Sequence, residues 1–336
     1  MTRIGILGVA HMHIDAYTEN VRAAGADIVG AYDWDGERGR AWCQRHDVRF
    51  FADLGALLDA APDGVIICSE TSFHRELAEH AAQAGIGVLC EKPLGVGRAD
   101  SAAIVSACDR AGVVLMTAFP MRFHPAVARV HRLASEGDLG RLRAFTGSNQ
   151  SVMPLLERSW FADQRLAGGG AMMDHIVHLA DAFCWIAAAA PASVYAVGNR
   201  IVHADVVTVE TGGLVMMTFP DGSFASMDCS WSRPLSYPTF GEARFSVVGD
   251  LGTVEVDALS QRLTQFGGSR PFGWVPWGPS LNQAMIDEFL AAIREQRRPA
   301  ITGTDGLIAT LVAVAAMESA QSGQPVPLGL PAAMAP

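Results

Sequence analysis

Short apolar runs alternate with amphipathic stretches through the first third of the chain. Ile4–Val9, Ile28–Tyr32, Val65–Cys68, Val88–Cys90 and Val113–Thr117 show little polar alternation, the pattern of strands buried on both faces. Between them, Ile14–Ala24, Gly36–His46, Asp53–Ala60, Phe73–Ala84 and Arg98–Ala111 read as helices. The last two stop at Gly85 and Gly112, the left-handed position that ends many helices. This alternation predicts a parallel sheet with right-handed crossovers.

The rhythm changes near residue 120. One more helix, Phe123–Ser135, is followed by stretches of strand character at Ser193–Ile201, Val206–Phe219, Ser223–Trp231, Arg244–Val248 and Thr253–Val256. Hairpin-like turns at Pro220–Ser223 and Gly249–Gly252 join several of them, so a largely antiparallel sheet is expected. Helices near Asn282–Gln296 and Asp305–Ser322 close the chain. The expected domains are 1–120 and 121–330.

Composition narrows the class. With 336 residues the chain exceeds what one core usually spans, which supports two domains. Half of it is hydrophobic, 18% is charged and the net charge is −10, as in a well-buried globular protein without a basic stripe for nucleic acid. Six cysteines form no CxxC pair, which leaves zinc ribbons and redox dithiols unsupported and fits thiols in a reducing cytoplasm. The N-terminus lacks a signal-peptide core, and the apolar stretch Ala182–Val197 contains Pro191 and falls short of a bilayer span. A cytoplasmic protein without membrane contact is expected.

Three motifs carry chemistry. Gly8-Val9-Ala10-His11-Met12-His13 lies between the first strand and first helix, where a glycine turn lets backbone N–H groups reach a pyrophosphate. Only Gly8 satisfies G-x-G-x-x-G; Ala10 and His13 replace the other glycines. Asp33 ends the second strand, where an acid accepts hydrogen bonds from ribose hydroxyls and disfavours a 2′-phosphate. NAD is therefore favoured, while Arg38 and Arg40 leave NADP open. The next motif, Glu91-Lys92-Pro93, ends the strand Val88–Cys90, and ligands bind beyond the carboxyl ends of such strands. The last is Gly168-Gly169-Gly170 leading into a helix that carries Asp174 and His178, four residues apart and so on one face. A carboxylate beside an imidazole suits a general base, and a salt-bridged surface pair is the plainer reading.

These motifs, in this order, resemble the glucose–fructose oxidoreductase, inositol dehydrogenase and rhizopine-catabolism (Gfo/Idh/MocA) family. Arg122-Phe123-His124-Pro125, Gly137–Gly140, Val248–Val256 and Phe289–Leu328 extend the likeness over nearly the whole chain. The resemblance implies an α/β fold: an N-terminal Rossmann domain with a doubly wound parallel sheet, and a C-terminal α+β domain with a large, mostly antiparallel open sheet. It implies hydride transfer between nicotinamide C4 and a carbinol or carbonyl carbon of a sugar, inositol or related polyol. His178 would take the hydroxyl proton, Lys92 would polarise the reacting oxygen and Asp174 would orient the site, with no metal. Gly8, Ala10, His11, Met12, Asp33, Ser69, His74, Glu91 and Lys92 would line the cofactor. Arg122, Trp160 and His175 are candidate substrate residues by motif proximity, and Arg122 is equally placed to make a structural salt bridge. A homodimer or homotetramer is expected.

Two departures stand out. His11, His13 and His74 fall near the strand ends, where one of them would contact the phosphates or nicotinamide; helix-start and packing histidines are the equally good plain reading. Glu70 occupies a position where many relatives carry proline. Two rival readings remain: a metal-dependent amidohydrolase built on His11-x-His13, and a sensor that binds NAD(P) without turnover.

Overall fold

The computed structural model describes residues 1–154, 158–259, 262–266 and 272–329. Packing divides the chain into two units. The first comprises Met1–Pro120, Arg165–Gly168 and Ser280–Thr310. The second comprises Met121–Gln164, Gly169–Pro279 and the chain from Leu311 onward. The sequence pattern carries 121–330 as one stretch, whereas Ser280–Thr310 packs with the first unit; residue 330 lies outside the described residues.

In the first unit, β1 (Arg3–Leu7), β2 (Asp27–Tyr32), β3 (Phe50–Phe51), β4 (Gly64–Ile67), β5 (Gly87–Cys90) and β6 (Leu115–Thr117) form one sheet in the order 3-2-1-4-5-6. All its pairings are parallel. Helices α1 (Ile14–Ala23), α2 (Gly36–His46), α3 (Leu54–Asp59), α4 (His74–Gln83) and α5 (Arg98–Ala111) connect the strands. Side chains of Asp35 and Asp53 accept N–H bonds at the starts of α2 and α3, which fixes where those helices begin. The strand order reverses between β1 and β4, the switch point beyond which ligands bind in such sheets. An open sheet of this order is no eight-fold barrel, which removes the amidohydrolase reading. Strand β3, only two residues long, escaped the hydrophobic pattern. Helix α9 (Leu281–Glu295) returns to this unit against α1, where Asn20 and Gln283 exchange hydrogen bonds of 2.9 and 3.1 Å.

In the second unit, β7 (Leu142–Val152), β8 (Ser193–Asn199), β9 (Gly212–Thr218), β10 (Phe224–Arg233), β11 (Gly241–Gly249), β12 (Thr253–Asp257) and β15 (Val326–Pro327) form a sheet ordered 12-11-7-10-9-8-15. Every pairing is antiparallel except β7 with β10. The hairpin β13 (Arg262–Phe266) with β14 (Phe272–Pro276) stands apart from it. One face carries α6 (Pro125–Ser135) and α8 (Val177–Ala187): Phe145 on β7 and Phe245 on β11 sit 5.2 and 5.7 Å from Phe183 of α8. The predicted strand at Val206–Phe219 shrinks to Gly212–Thr218. The long strand β7 was not expected, because its polar composition hides the alternation.

On the other face β8 and β9 expose Tyr195, Val197, Leu214 and Met216, and Phe224 of β10 joins them. Tyr195 is paired with Met216 and Val197 with Leu214, so the apolar positions are contiguous. Among the described residues, no helix is long and apolar enough to cross a membrane.

Candidate active site

The turn after β1 is set by a close approach. Gly8 has φ +82°, and a Cβ there would lie 2.5 Å from the Ser69 Cβ at the end of β4. Glycine is the residue that meets both conditions. The backbone then passes close to β4, with the His11 N–H donating to the Cys68 carbonyl at 2.8 Å. Ala10, His11 and Ser69 are buried, and Met12 and His13 are half-buried.

Asp33, just past β2, is buried and fully engaged. Its Oδ2 accepts from the Val9 N–H (2.7 Å) and Arg38 Nε (3.2 Å), and its Oδ1 from the Asp35 N–H (2.8 Å) and Arg38 Nη2 (2.7 Å). A carboxylate offers about four acceptor positions, so Arg38 occupies the two that the backbone leaves. The same guanidinium donates to Glu70, Nη1 to Oε1 at 2.8 Å and Nη2 to Oε2 at 3.3 Å.

Glu91 forms a second buried knot at the end of β5. Its Oε1 accepts from Tyr17 Oη (2.7 Å) and His13 Nδ1 (2.8 Å), and its Oε2 from the Lys92 N–H (2.9 Å). His11 Nδ1 accepts from the His13 N–H at 3.3 Å and stands 3.7 Å from Glu91. Burial alone would raise the Glu91 carboxyl; His11, His13 and Lys92 outweigh it and hold the group well below the usual carboxylate range. Burial and the neighbouring carboxylate push the Tyr17 phenol well above its ordinary value. Donor atoms of His11, His13 and Glu91 lie within 4.8 Å of one another, a spacing that one cation could bridge. Lys92 is 5% exposed, and a cis peptide joins it to Pro93. The Pro93 carbonyl accepts from His74 Nδ1 at 3.1 Å, and burial lowers the His74 pKa, so that imidazole is neutral at pH 7. A cavity of about 1010 Å³ lies at the opposite, amino-terminal edge of this sheet, between Asp63, Gly87, Val114 and Arg297, away from all these groups.

In the second unit the glycine block leads into a π-helical turn, Met172–Ile176, ahead of α8. Gly170 is obligatory, since a Cβ there would lie 2.0 Å from the Glu210 carbonyl oxygen. The Glu210 side chain accepts the Gly170 and Met172 N–H groups at 2.8 and 3.1 Å, which pins the start of the turn. Asp174 therefore sits in a π turn, and the expectation of α-helical spacing from Asp174 to His178 is corrected; such turns often mark functional sites. Asp174 Oδ2 accepts from Trp231 Nε1 at 3.1 Å and lies 3.5 Å from His175 Nε2. His175 Nε2 also bonds Ser151 Oγ at 2.9 Å. His178 is half-buried. Trp160, also half-buried, stacks on Phe161 at 4.2 Å. Arg122, expected among the substrate residues, gives Nε and Nη2 to Asp181 at 2.9 and 2.6 Å, and both side chains are buried.

Residues 2–119 match the profile of an oxidoreductase family with an NAD-binding Rossmann fold, and residues 127–255 match the GFO/IDH/MocA C-terminal domain. The chain belongs to the Gfo/Idh/MocA oxidoreductase family. This oxidoreductase is 29% identical to a D-apiose dehydrogenase of Paraburkholderia graminis, over 90% of its own length and 84% of the relative's. It is 26% identical to a myo-inositol 2-dehydrogenase of Thermotoga maritima, over 97% and 98% of the two chains. Its fold matches an enzyme of gentamicin A biosynthesis solved in complex with NAD (TM-score 0.87, 23% identity, 98% and 97% covered). It also matches an aldose–aldose oxidoreductase from Caulobacter crescentus solved in complex with glycerol (TM-score 0.81, 25% identity, 97% and 99% covered).

Sequence reasoning missed several partners in these clusters. Tyr17 stands four residues after His13 on the same face of α1, a spacing that offers the signal. Trp231 falls on an inward position of β10, legible once the strand is placed. Ser151 and Glu210 carried no signal, because their partners come from distant parts of the chain.

Proposed function

We propose that this oxidoreductase moves hydride between NAD and a carbinol or carbonyl carbon of a sugar, inositol or related polyol. The observation that carries the reading is the pairing, within one unit, of the Gly8 turn and Asp33 with a buried Lys92 at the end of β5. The residues suit a dinucleotide: α1 begins at the turn, and Asp33 is an acceptor for a ribose diol. Bound there, the nicotinamide ring supplies a hydride acceptor at C4. Lys92 holds the substrate oxygen and stabilises negative charge on it. His178 takes the hydroxyl proton on a ring nitrogen as the C–H bond breaks and returns it in the reverse direction. Asp174, tied to Trp231 and His175, orients the substrate. Ala10, His11, Met12, Ser69, His74 and Glu91 line the nucleotide end, and Trp160 and His175 line the substrate side. Arg122 serves the second unit through Asp181.

The sugar or polyol class rests on the relatives that act on D-apiose and myo-inositol and on the levoglucosan dehydrogenase solved with NADH and levoglucosan, which shares the fold (TM-score 0.82, 22% identity, 98% and 100% covered). The contiguous apolar face of β8, β9 and β10 supports a homo-oligomer in which a second copy covers it. Six free cysteines, five of them buried, suit a cytoplasmic location.

The test is a panel of sugars, inositols and sugar acids assayed for NAD⁺ reduction, with Lys92→Ala and His178→Ala beside the wild type. Turnover that collapses in both variants, while NAD⁺ titrates with near-normal affinity, supports the assignment. Full activity in Lys92→Ala would overturn it.

A further inference from the structure

The Arg38–Glu70 ion pair has no role in the hydride step, and it stands at the adenosine end of the nucleotide site. Glu70 is buried and follows β4, and Arg38 lies on the first turn of α2. Trp34 completes the knot. Its Nε1 donates to Glu70 Oε2 at 2.9 Å, Arg38 lies 5.4 Å from the centre of its ring, and Phe73 flanks it at 5.4 Å. One guanidinium is thus shared between two buried carboxylates, Asp33 and Glu70. Two other arginines of this region face rings instead: Arg40 lies over Phe50 and Arg49 over Phe51.

We propose that Glu70 is a specificity-determining residue: by holding Arg38 it makes the site select a free adenosine 2′-hydroxyl over a 2′-phosphate. The inference rests on the NAD reading and deepens it. A ribose diol that bonds Asp33 must displace Arg38 from that carboxylate, because the acceptor positions are full. Glu70 keeps the displaced guanidinium paired through Nη1 and Nη2, so the exchange leaves no bare charge. An incoming 2′-phosphate meets two carboxylates and a guanidinium with four of its five N–H donors committed to them, and in a partly buried site that charge balance is repulsive. Without Glu70, Arg38 is held by Asp33 alone, and a guanidinium displaced from that one carboxylate can turn to grip phosphate bidentately. Asp33 alone, the residue legible in the sequence, leaves Arg38 available to either cofactor; the acid at position 70 decides which way it turns.

The experiment is calorimetric titration of the full chain with NAD⁺, NADP⁺, 5′-AMP and 2′,5′-ADP. It compares wild type, Glu70→Gln, Glu70→Ala and Arg38→Ala/Glu70→Gln, with thermal melts to confirm folding. Wild type should bind NAD⁺ and 5′-AMP more tightly than their 2′-phosphorylated counterparts. Either single variant should tighten NADP⁺ and 2′,5′-ADP by about tenfold, equivalent to roughly 1.4 kcal/mol, with a much smaller change for NAD⁺. The double variant should lose that gain. An unchanged NADP⁺ to NAD⁺ ratio in both folded single variants overturns the inference, as does a gain that survives loss of Arg38. In those outcomes nucleotide still binds and the NAD reading stands, whereas absence of binding by the wild type would remove both.

Discussion

Gly8 faces Ser69 across a gap that admits no side chain: a Cβ on residue 8 would stand 2.5 Å from the Ser69 Cβ and 2.6 Å from its Cα. The turn after β1 can hug the end of β4 only because residue 8 has neither a Cβ nor a penalty for φ +82°.

Gly8→Ala should therefore combine steric overlap with a left-handed alanine. We expect a loss of about 2–4 kcal/mol in urea unfolding and weakened NAD⁺ binding. Gly25→Ala, at φ +71° with open space around it, supplies the control and should lose only about 1 kcal/mol. Equal losses at the two positions would mean that contact with Ser69 does not matter.

Arg122 and Asp181 form a buried bidentate pair. Asp181→Ala removes the buried carboxylate that faces the guanidinium and should cost about 3–5 kcal/mol, while replacing both partners by apolar residues should recover much of that. A stable Asp181→Ala protein with a raised KM would instead return Arg122 to substrate binding.

The buried Glu91 and the half-buried Glu210 should respond to pH in opposite senses. Glu91 is held below its ordinary value of 4.5, so its stabilisation is present above that value and is lost as pH falls through the lower folded value. Burial raises Glu210 above 4.5, despite the N–H groups that favour its ionised form, so its cost appears as pH rises through that range. Relative to wild type, Glu91→Gln should be weaker at neutral pH, with the difference shrinking in acid. Glu210→Gln should gain as pH rises from acid to neutral. Denaturant unfolding from pH 3 to pH 7 measures both, and parallel curves for the two variants would contradict the assignments.

Leu214 and Val197 pair at the centre of the exposed apolar face. Leu214→Glu should shift sedimentation from an oligomer toward a monomer while leaving the fold intact by circular dichroism. A monomeric wild type, or an unaffected oligomer, would place the assembly surface elsewhere.

The parallel sheet was legible because its strands are buried on both faces and its helices end on glycines such as Gly85 and Gly112. The short β3 and the polar β7 were not, because two residues give no period and a half-exposed strand rich in Ser, Asn and Gln gives a weak one. Gly8, Asp33 and Lys92 could be placed from motif and strand end alone. Their surroundings could not: Arg38 meets Glu70 across 32 positions, and Tyr17 meets Glu91 across 74. Pairings of that range are decided by how strands stack, which local pattern does not encode.

The π turn at Met172–Ile176 makes residue count a determinant in its own right. Each π turn carries more residues than an α turn, and one α-helical residue advances by about 100°. A single-codon deletion there would let the segment rewind as plain α-helix and swing Asp174 away from the Trp231 indole or His178 away from its present heading. In the stretch from Gly168 to His178 the number of residues is thus as tightly constrained as the identities of Gly170, Asp174 and His178.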